Sequence, residues 1–152
     1  TSVKLYEDSD LYVEYRPTVV EFVRRYRFSA SHRLFNNKFS SEENLRIFGK
    51  CSNPNGHGHN YYLDVFVKGQ IDDDTGMVYD MVKLDRHVAD IIQEYDHKHL
   101  DLDTDDFKDV PSTTEALSLV LSSKMKVSLG DSFSRLIVSE TPKNLFEVNY
   151  NN

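Results

Sequence analysis

Histidine is the residue type whose spacing in this chain points most directly to chemistry. In Lys50-Cys51-Ser52-Asn53-Pro54-Asn55-Gly56-His57-Gly58-His59-Asn60, two histidines stand two residues apart. If the backbone becomes extended at Gly56, strand alternation puts His57 and His59 on one face, where both imidazoles can grip one metal ion. Such pairs also arise in solvated loops, so a third ligand is needed. His32, in Phe28-Ser29-Ala30-Ser31-His32-Arg33-Leu34, is the other histidine on a comparable strand pattern. Three histidines with no fourth protein ligand leave one coordination position open, which distinguishes catalytic zinc from structural zinc, and Zn2+ is the expected cofactor. Cys51, the single cysteine, lies six residues before His57. Its thiol admits three readings: a fourth ligand, a small buried apolar group, or a base whose pKa of about 8.5 is lowered by a nearby dication.

The elements that must position these residues follow from periodicity. From Val19 to Leu34 the even positions carry Val20, Phe22, Arg24, Tyr26, Phe28, Ala30, His32 and Leu34, which predicts a half-buried strand with His32 near its end on the apolar face. Phe35 to Gly49 reads as loop with one helical turn near residues 41–44. From His59 the odd positions Tyr61, Leu63, Val65 and Val67 run to Gly69, a second strand whose histidines share its core face. Asp80 is an expected N-cap for an amphipathic helix carrying Met81, Leu84, Val88, Ile91, Ile92 and Tyr95. Ser112-Thr113-Thr114-Glu115 reads as a capping box opening a second helix through Leu117, Val120, Leu121 and Met125. Leu136 to Glu140 and Leu145 to Tyr150 read as a closing hairpin. Glu140 falls on the parity of Leu136 and Val138, a place where a charge requires a partner.

The order strand, strand, helix, helix, strand, strand implies an α+β domain, a four-stranded antiparallel sheet with two helices on one face. Its open edges invite pairing with another copy, so a barrel-closing oligomer is expected. Residues 1–17 alternate acids and aromatics without a clear period and are assigned to an N-terminal extension; residues 18–152 form the single expected domain, consistent with a chain of 152 residues. One cysteine excludes an intramolecular disulfide and suggests a reducing, cytoplasmic compartment. No apolar run reaches the roughly 18 residues of a membrane span. The net charge of −7 is uneven: residues 18–50 carry seven cations against three acids, and residues 71–115 fourteen acids against four cations. That balance argues against nucleic acid as a partner, whereas a small anionic substrate fits.

Taken together, Phe28 to Leu34, Cys51 with five residues before His57-Gly58-His59, Asp74-Thr75-Gly76-Met77-Val78, Asp96-His97-Lys98, Ser112-Thr113-Thr114-Glu115 and Glu140-Thr141-Pro142-Lys143-Asn144 resemble the 6-pyruvoyl-tetrahydropterin synthase family, in order from about Tyr26 to Tyr150. The resemblance implies a tunnelling fold, or T-fold, whose trimers form barrels that stack in pairs as hexamers. It also implies a zinc-dependent carbon–oxygen lyase that eliminates triphosphate from 7,8-dihydroneopterin triphosphate in tetrahydrobiopterin biosynthesis.

On that resemblance His32, His57 and His59 hold the metal, and Cys51 is the proton acceptor. Asp96 and His97 assist from a neighbouring subunit. Glu140 anchors the pterin and shares in the proton relay, and Thr113, Thr114 and Glu115 match a pterin-contacting turn. From the residues alone Asp96 is equally a solvated loop charge, and helix capping accounts for Ser112 and Glu115 without any function. Arg24, Arg25, Arg27 and Lys38 are candidates for holding the triphosphate; His87 and His99 read as surface residues. Two other activities use similar residues. One is 6-carboxytetrahydropterin synthase of deazapurine biosynthesis, whose members usually place three residues between the cysteine and His-Gly-His, against five here. The other is a non-catalytic, zinc-binding pterin sensor.

Overall fold

The computed structural model describes residues 3–7, 10–16 and 19–150. Among them seven strands form one sheet: β1 (Val3–Tyr6), β2 (Leu11–Arg16), β3 (Val19–His32), β4 (His57–Gly69), β5 (Lys98–His99), β6 (Phe133–Thr141) and β7 (Asn144–Asn149). The main path runs β1-β2-β3-β4-β6-β7, antiparallel throughout, while the two residues of β5 pair in parallel with Ala30 and Ser31 of β3. The four expected strands, β3, β4, β6 and β7, therefore make up one side of a wider sheet and include its β7 edge. The stretch before residue 18 adds the β1–β2 hairpin, with β2 paired to β3 from Leu11 opposite Arg24 to Arg16 opposite Val19. The expected boundary between residues 17 and 18 lies outside the described residues.

Helices α1 (Ser41–Phe48), α2 (Met81–Ile92), α3 (Leu100–Asp103) and α4 (Thr114–Leu129) complete the fold. The one helical turn read near residues 41–44 is a full helix because Ser40 and Glu43 form a reciprocal capping box, and Gly49, at φ 55°, ends it. Asp80 caps α2 by accepting from the amides of Val82 and Lys83. The capping box expected at Ser112 is not formed. The cap of α4 is Thr113, whose hydroxyl accepts from Ala116 N, so its third helical residue is an alanine that cannot return the bond. That one-residue shift frees Thr114 and Glu115 from capping.

The apolar faces of α2 and α4 cover one face of the central strands. Phe28, Tyr61, Leu63 and Val65 from the sheet meet Leu84 and Val88 of α2 and Leu117, Leu121 and Met125 of α4, all buried in one cluster. Polar clasps add direction: Tyr26 donates to Asp85 at 2.8 Å and Arg24 pairs with the same carboxylate at 2.8 Å, joining β3 to α2. Leu121 is fully buried at the centre of the helical layer. Leu121→Ala should cost about 2–5 kcal/mol of stability, read from urea unfolding, because the transfer loss and the residual cavity add.

Candidate active site

The β3–β4 ladder sets Ala30 opposite His59 and His32 opposite His57. Because the histidines lie on the core face of both strands, their rings converge at the end of the sheet. Ring centroids are 4.5 Å apart for His32 and His57, 5.3 Å for His32 and His59, and 4.9 Å for His57 and His59. Gly56 makes the entry to β4 possible. It sits at φ 65°, and a Cβ there would lie 2.8 Å from the carbonyl oxygen of His32.

His32 is almost fully buried, and its Nδ1 lies 2.8 Å from the carbonyl of Ser112, just before α4. A carbonyl only accepts, so the proton sits on Nδ1 and the lone pair of Nε2 faces His57 Nε2 at 3.1 Å. The hydroxyl of Tyr61, two residues beyond His59, lies 3.5 Å from the same Nδ1. His59 Nε2 is 3.0 Å from Glu140 Oε1 but misaligned for a hydrogen bond, leaving a buried nitrogen without a partner.

Glu140 reaches this point because β6 bulges there. Ser139 pairs with Leu145 and Thr141 with Asn144, so Glu140 has no opposite residue and its side chain is re-aimed. Thr114 Oγ1 donates a hydrogen bond to Glu140 Oε2, and Asn144 Nδ2 lies 3.3 Å from Thr114 Oγ1 and 3.3 Å from Glu140 Oε2.

These donors fit a divalent cation. One ligand atom from each of His32, His57, His59 and Glu140 falls within 4.8 Å of all the others. Metal–nitrogen bonds of about 2.0–2.1 Å put tetrahedral ligand nitrogens roughly 3.3 Å apart, close to the His32–His57 separation. Burial, reinforced by the neighbouring histidines, lowers the pKa of His57; burial also lowers that of His59 although Glu140 opposes it. Neutral imidazoles are the form a metal requires.

Cys51 lies in a 3-10 turn, Gly49–Ser52, directly after α1. Its carbonyl accepts from Leu34 N at 2.9 Å and Arg33 Nε donates to Ser52 O at 2.8 Å, which ties the turn to the end of β3. The half-buried thiol is outside the four-residue ligand cluster. The preceding loop is stapled by the buried side chain of Asn44, which accepts from Asn36 N and donates to the carbonyls of Asn36, Phe39 and Ser40.

Asp96 and His97 are in contact with each other, because the chain turns there. His97 has φ 58°, the only positive φ of a non-glycine among the described residues, a conformation that costs roughly 1–2 kcal/mol. Its Nδ1 lies 2.9 Å from Asp96 Oδ2, while Asp96 Oδ1 accepts from Ser29 N at 2.9 Å and His97 N donates to Ser29 O at 2.6 Å. The Ser29 amide and the His97 ring both hold the Asp96 carboxyl below its ordinary pKa. The His97 side chain is 81% exposed and apart from the histidine cluster of its own chain.

The remaining candidates divide. Thr113 is engaged in capping, Thr114 is buried against Glu140, and Glu115 is exposed on the first turn of α4. Arg25 is committed to Asp64 through two bonds of 2.6 and 2.8 Å, and Arg24 to Asp85; Arg27 and Lys38 remain exposed. His87 and His99, expected at the surface, are half-buried. His87 lies against Ser128 Oγ at 2.8 Å, and His99 packs where a side chain on Gly56 would collide with it. Tyr61, Ser112 and Asn144 are site neighbours that spacing alone passes over; only Tyr61 carries a signal, sharing the parity of the histidines.

A mixed sheet flanked by helices on one face, with three histidines and a carboxylate converging at its end, defines a T-fold domain with a candidate metal centre. The family model for 6-pyruvoyl tetrahydropterin synthase matches residues 21–151, and the chain belongs to that family. A Caenorhabditis elegans protein described as a putative 6-pyruvoyl tetrahydrobiopterin synthase is 40% identical over 134 residues, covering 87% of this chain and 96% of the relative. The Homo sapiens 6-pyruvoyl tetrahydrobiopterin synthase is 52% identical over 99 residues, 64% of this chain and 68% of its own. The solved structure of C. elegans 6-pyruvoyl tetrahydropterin synthase superposes with a TM-score of 0.83 at 38% identity, covering 90% of this chain and 99% of that one.

Replacing His32, His57 or His59 with alanine should abolish stoichiometric metal binding, measured by elemental analysis after gel filtration, whereas His87→Ala should keep it. An equal loss in His87→Ala would point to a different ligand set. The metal-free protein should also show a pH signature. His57 and His59 are held below the ordinary value of 6.5, so the unfolded chain takes up protons more readily than the folded one. Stability of the metal-free form should therefore fall as pH drops below about 6.5 and be flat on this account above it, as followed by thermal unfolding.

Proposed function

We propose that this chain is a zinc-dependent carbon–oxygen lyase that converts 7,8-dihydroneopterin triphosphate to 6-pyruvoyl-5,6,7,8-tetrahydropterin and inorganic triphosphate, in tetrahydrobiopterin biosynthesis. The observation that carries this reading is the convergence of three histidine nitrogens beside Glu140 in a chain of this family. A zinc ion held by His32, His57 and His59 supplies Lewis acidity to oxygens of the substrate's side chain.

The protein's own groups account for the proton transfers. Cys51, as thiolate, takes a carbon-bound proton. Asp96 holds the His97 ring by its Nδ1, so that the other nitrogen exchanges protons with the reacting molecule. Glu140 accepts two hydrogen bonds from the pterin ring N–H and exocyclic amine, as a carboxylate does from arginine. Thr114, with Asn144, keeps that carboxylate in place, and Thr113 and Glu115 border the pterin at the start of α4. Arg27 and Lys38 are the cations left uncommitted for the triphosphate. Because the His97 side chain is exposed and outside the ligand cluster of its own chain, we assign it to the site of a neighbouring copy. The assembly is a homohexamer, a dimer of trimers, in the cytoplasm, where a lone thiol stays reduced.

The five residues between Cys51 and His57 favour the pyruvoyl over the carboxy product. Purified protein incubated with zinc and 7,8-dihydroneopterin triphosphate should release triphosphate and the 6-pyruvoyl compound, identified by mass spectrometry. A 6-carboxy product would replace the reading with the deazapurine activity, and no turnover would leave a pterin sensor. In the same assay Cys51→Ala should retain its metal and lose at least about a hundredfold in rate, as removal of a general base does; loss of the metal would make Cys51 a ligand instead.

A further inference from the structure

A polar cluster behind the Asp96–His97 turn is not needed for any step above. Tyr95 is fully buried, its ring lying against Phe28 with centroids 6.3 Å apart. Its hydroxyl donates to Asp106 Oδ2 at 2.6 Å, the short distance of a charge-assisted bond. Lys124 of α4 completes the cluster, with Nζ 3.3 Å from Asp106, 2.7 Å from Glu94 and 5.3 Å from the centre of the Tyr95 ring. Burial and the bond to Asp106 raise the pKa of Tyr95, so the phenol keeps its proton and remains a donor. Burial alone would lower the pKa of Lys124, but its hydrogen bonds outweigh that and the net shift is upward.

Tyr95 is also the first residue of the turn that presents His97. Its carbonyl accepts from Lys98 N at 3.1 Å, enclosing Asp96 and His97. The side chain of Tyr95 is registered on Phe28, and the next two residues are registered on Ser29. A non-glycine residue in the left-handed region persists only where its surroundings over-determine it. The bonds to Ser29 fix one side of the turn. The clamp on the Tyr95 hydroxyl, drawn from the loop before α4 and from α4 itself, fixes the other.

We propose that Tyr95, clamped by Asp106 and Lys124, is a positioning residue that sets the direction of the His97 ring for proton transfer. The inference rests on the acid–base reading of His97 and extends it to residues that touch neither substrate nor metal. Losing a charge-assisted hydrogen bond in such a clamp should misplace the ring without removing it.

The test is a double-mutant cycle on the zinc-loaded protein with 7,8-dihydroneopterin triphosphate. Tyr95→Phe keeps the ring and removes the hydroxyl. It should lower kcat about tenfold with KM within about twofold, keep full metal content, and shift the ring C–H resonances of His97 by NMR. In a His97→Ala background the same change should produce no additional loss. Asp106→Asn, which keeps an acceptor for the phenol, should be milder than Asp106→Ala. An equal loss from Tyr95→Phe with and without His97 would overturn the positioning role and leave the acid–base reading standing. Full turnover by His97→Ala would remove that reading, and the positioning role with it.

Discussion

The register of one strand pair governs the site. With His32 opposite His57, a single antiparallel ladder delivers two imidazoles to one point, and the period of two brings His59 to the same face. A slip of one residue would turn His57 and His59 to the opposite side, together with Tyr61, Leu63 and Val65. Burial of those side chains under α2 and α4 therefore holds the ligand geometry and the core with the same free energy. The candidate metal centre needs no separate scaffold.

Around that ladder the chain supplies supports from distant segments. The carbonyl of Ser112 fixes the tautomer of His32 from the mouth of α4. The bulge in β6 turns Glu140 toward His59, and Asn144 and Thr114 keep it there. The turn holding Cys51 is tied to the end of β3 through Leu34 and Arg33, so thiol and imidazoles are referred to one strand end although five residues of loop separate Cys51 from His57. Asp96 and His97 are tied to the same strand four residues earlier, at Ser29.

Periodicity carried most of this into the sequence. The parity of His32 with Phe28, and of His57 and His59 with Leu63, is enough to place three histidines on one face, and Asp80 announces α2 by its chemistry. The unreadable parts are those settled by long-range contacts. Thr113 and not Ser112 caps α4, while the carbonyl of Ser112 meets His32, eighty residues away. The bulge at Glu140 leaves no trace in a run that alternates correctly. The hairpin β1–β2 lacks a clear pattern because Leu5 and Tyr6 stay exposed while only Leu11 and Val13 pack, partly buried, against the core. His99 looked exposed because its packing against Gly56 depends on a turn that brings β5 alongside β3.

Strand β7 ends the sheet, and Asn144, its first residue, is also the residue that braces Glu140. Its outer row of backbone groups has no partner strand among the described residues. A second chain paired along this row would fix Asn144 and with it the carboxylate. Under that pairing, association and any binding at Glu140 would be linked in both directions: dilution would weaken the grip on a ligand, and a ligand would tighten the assembly by the same factor.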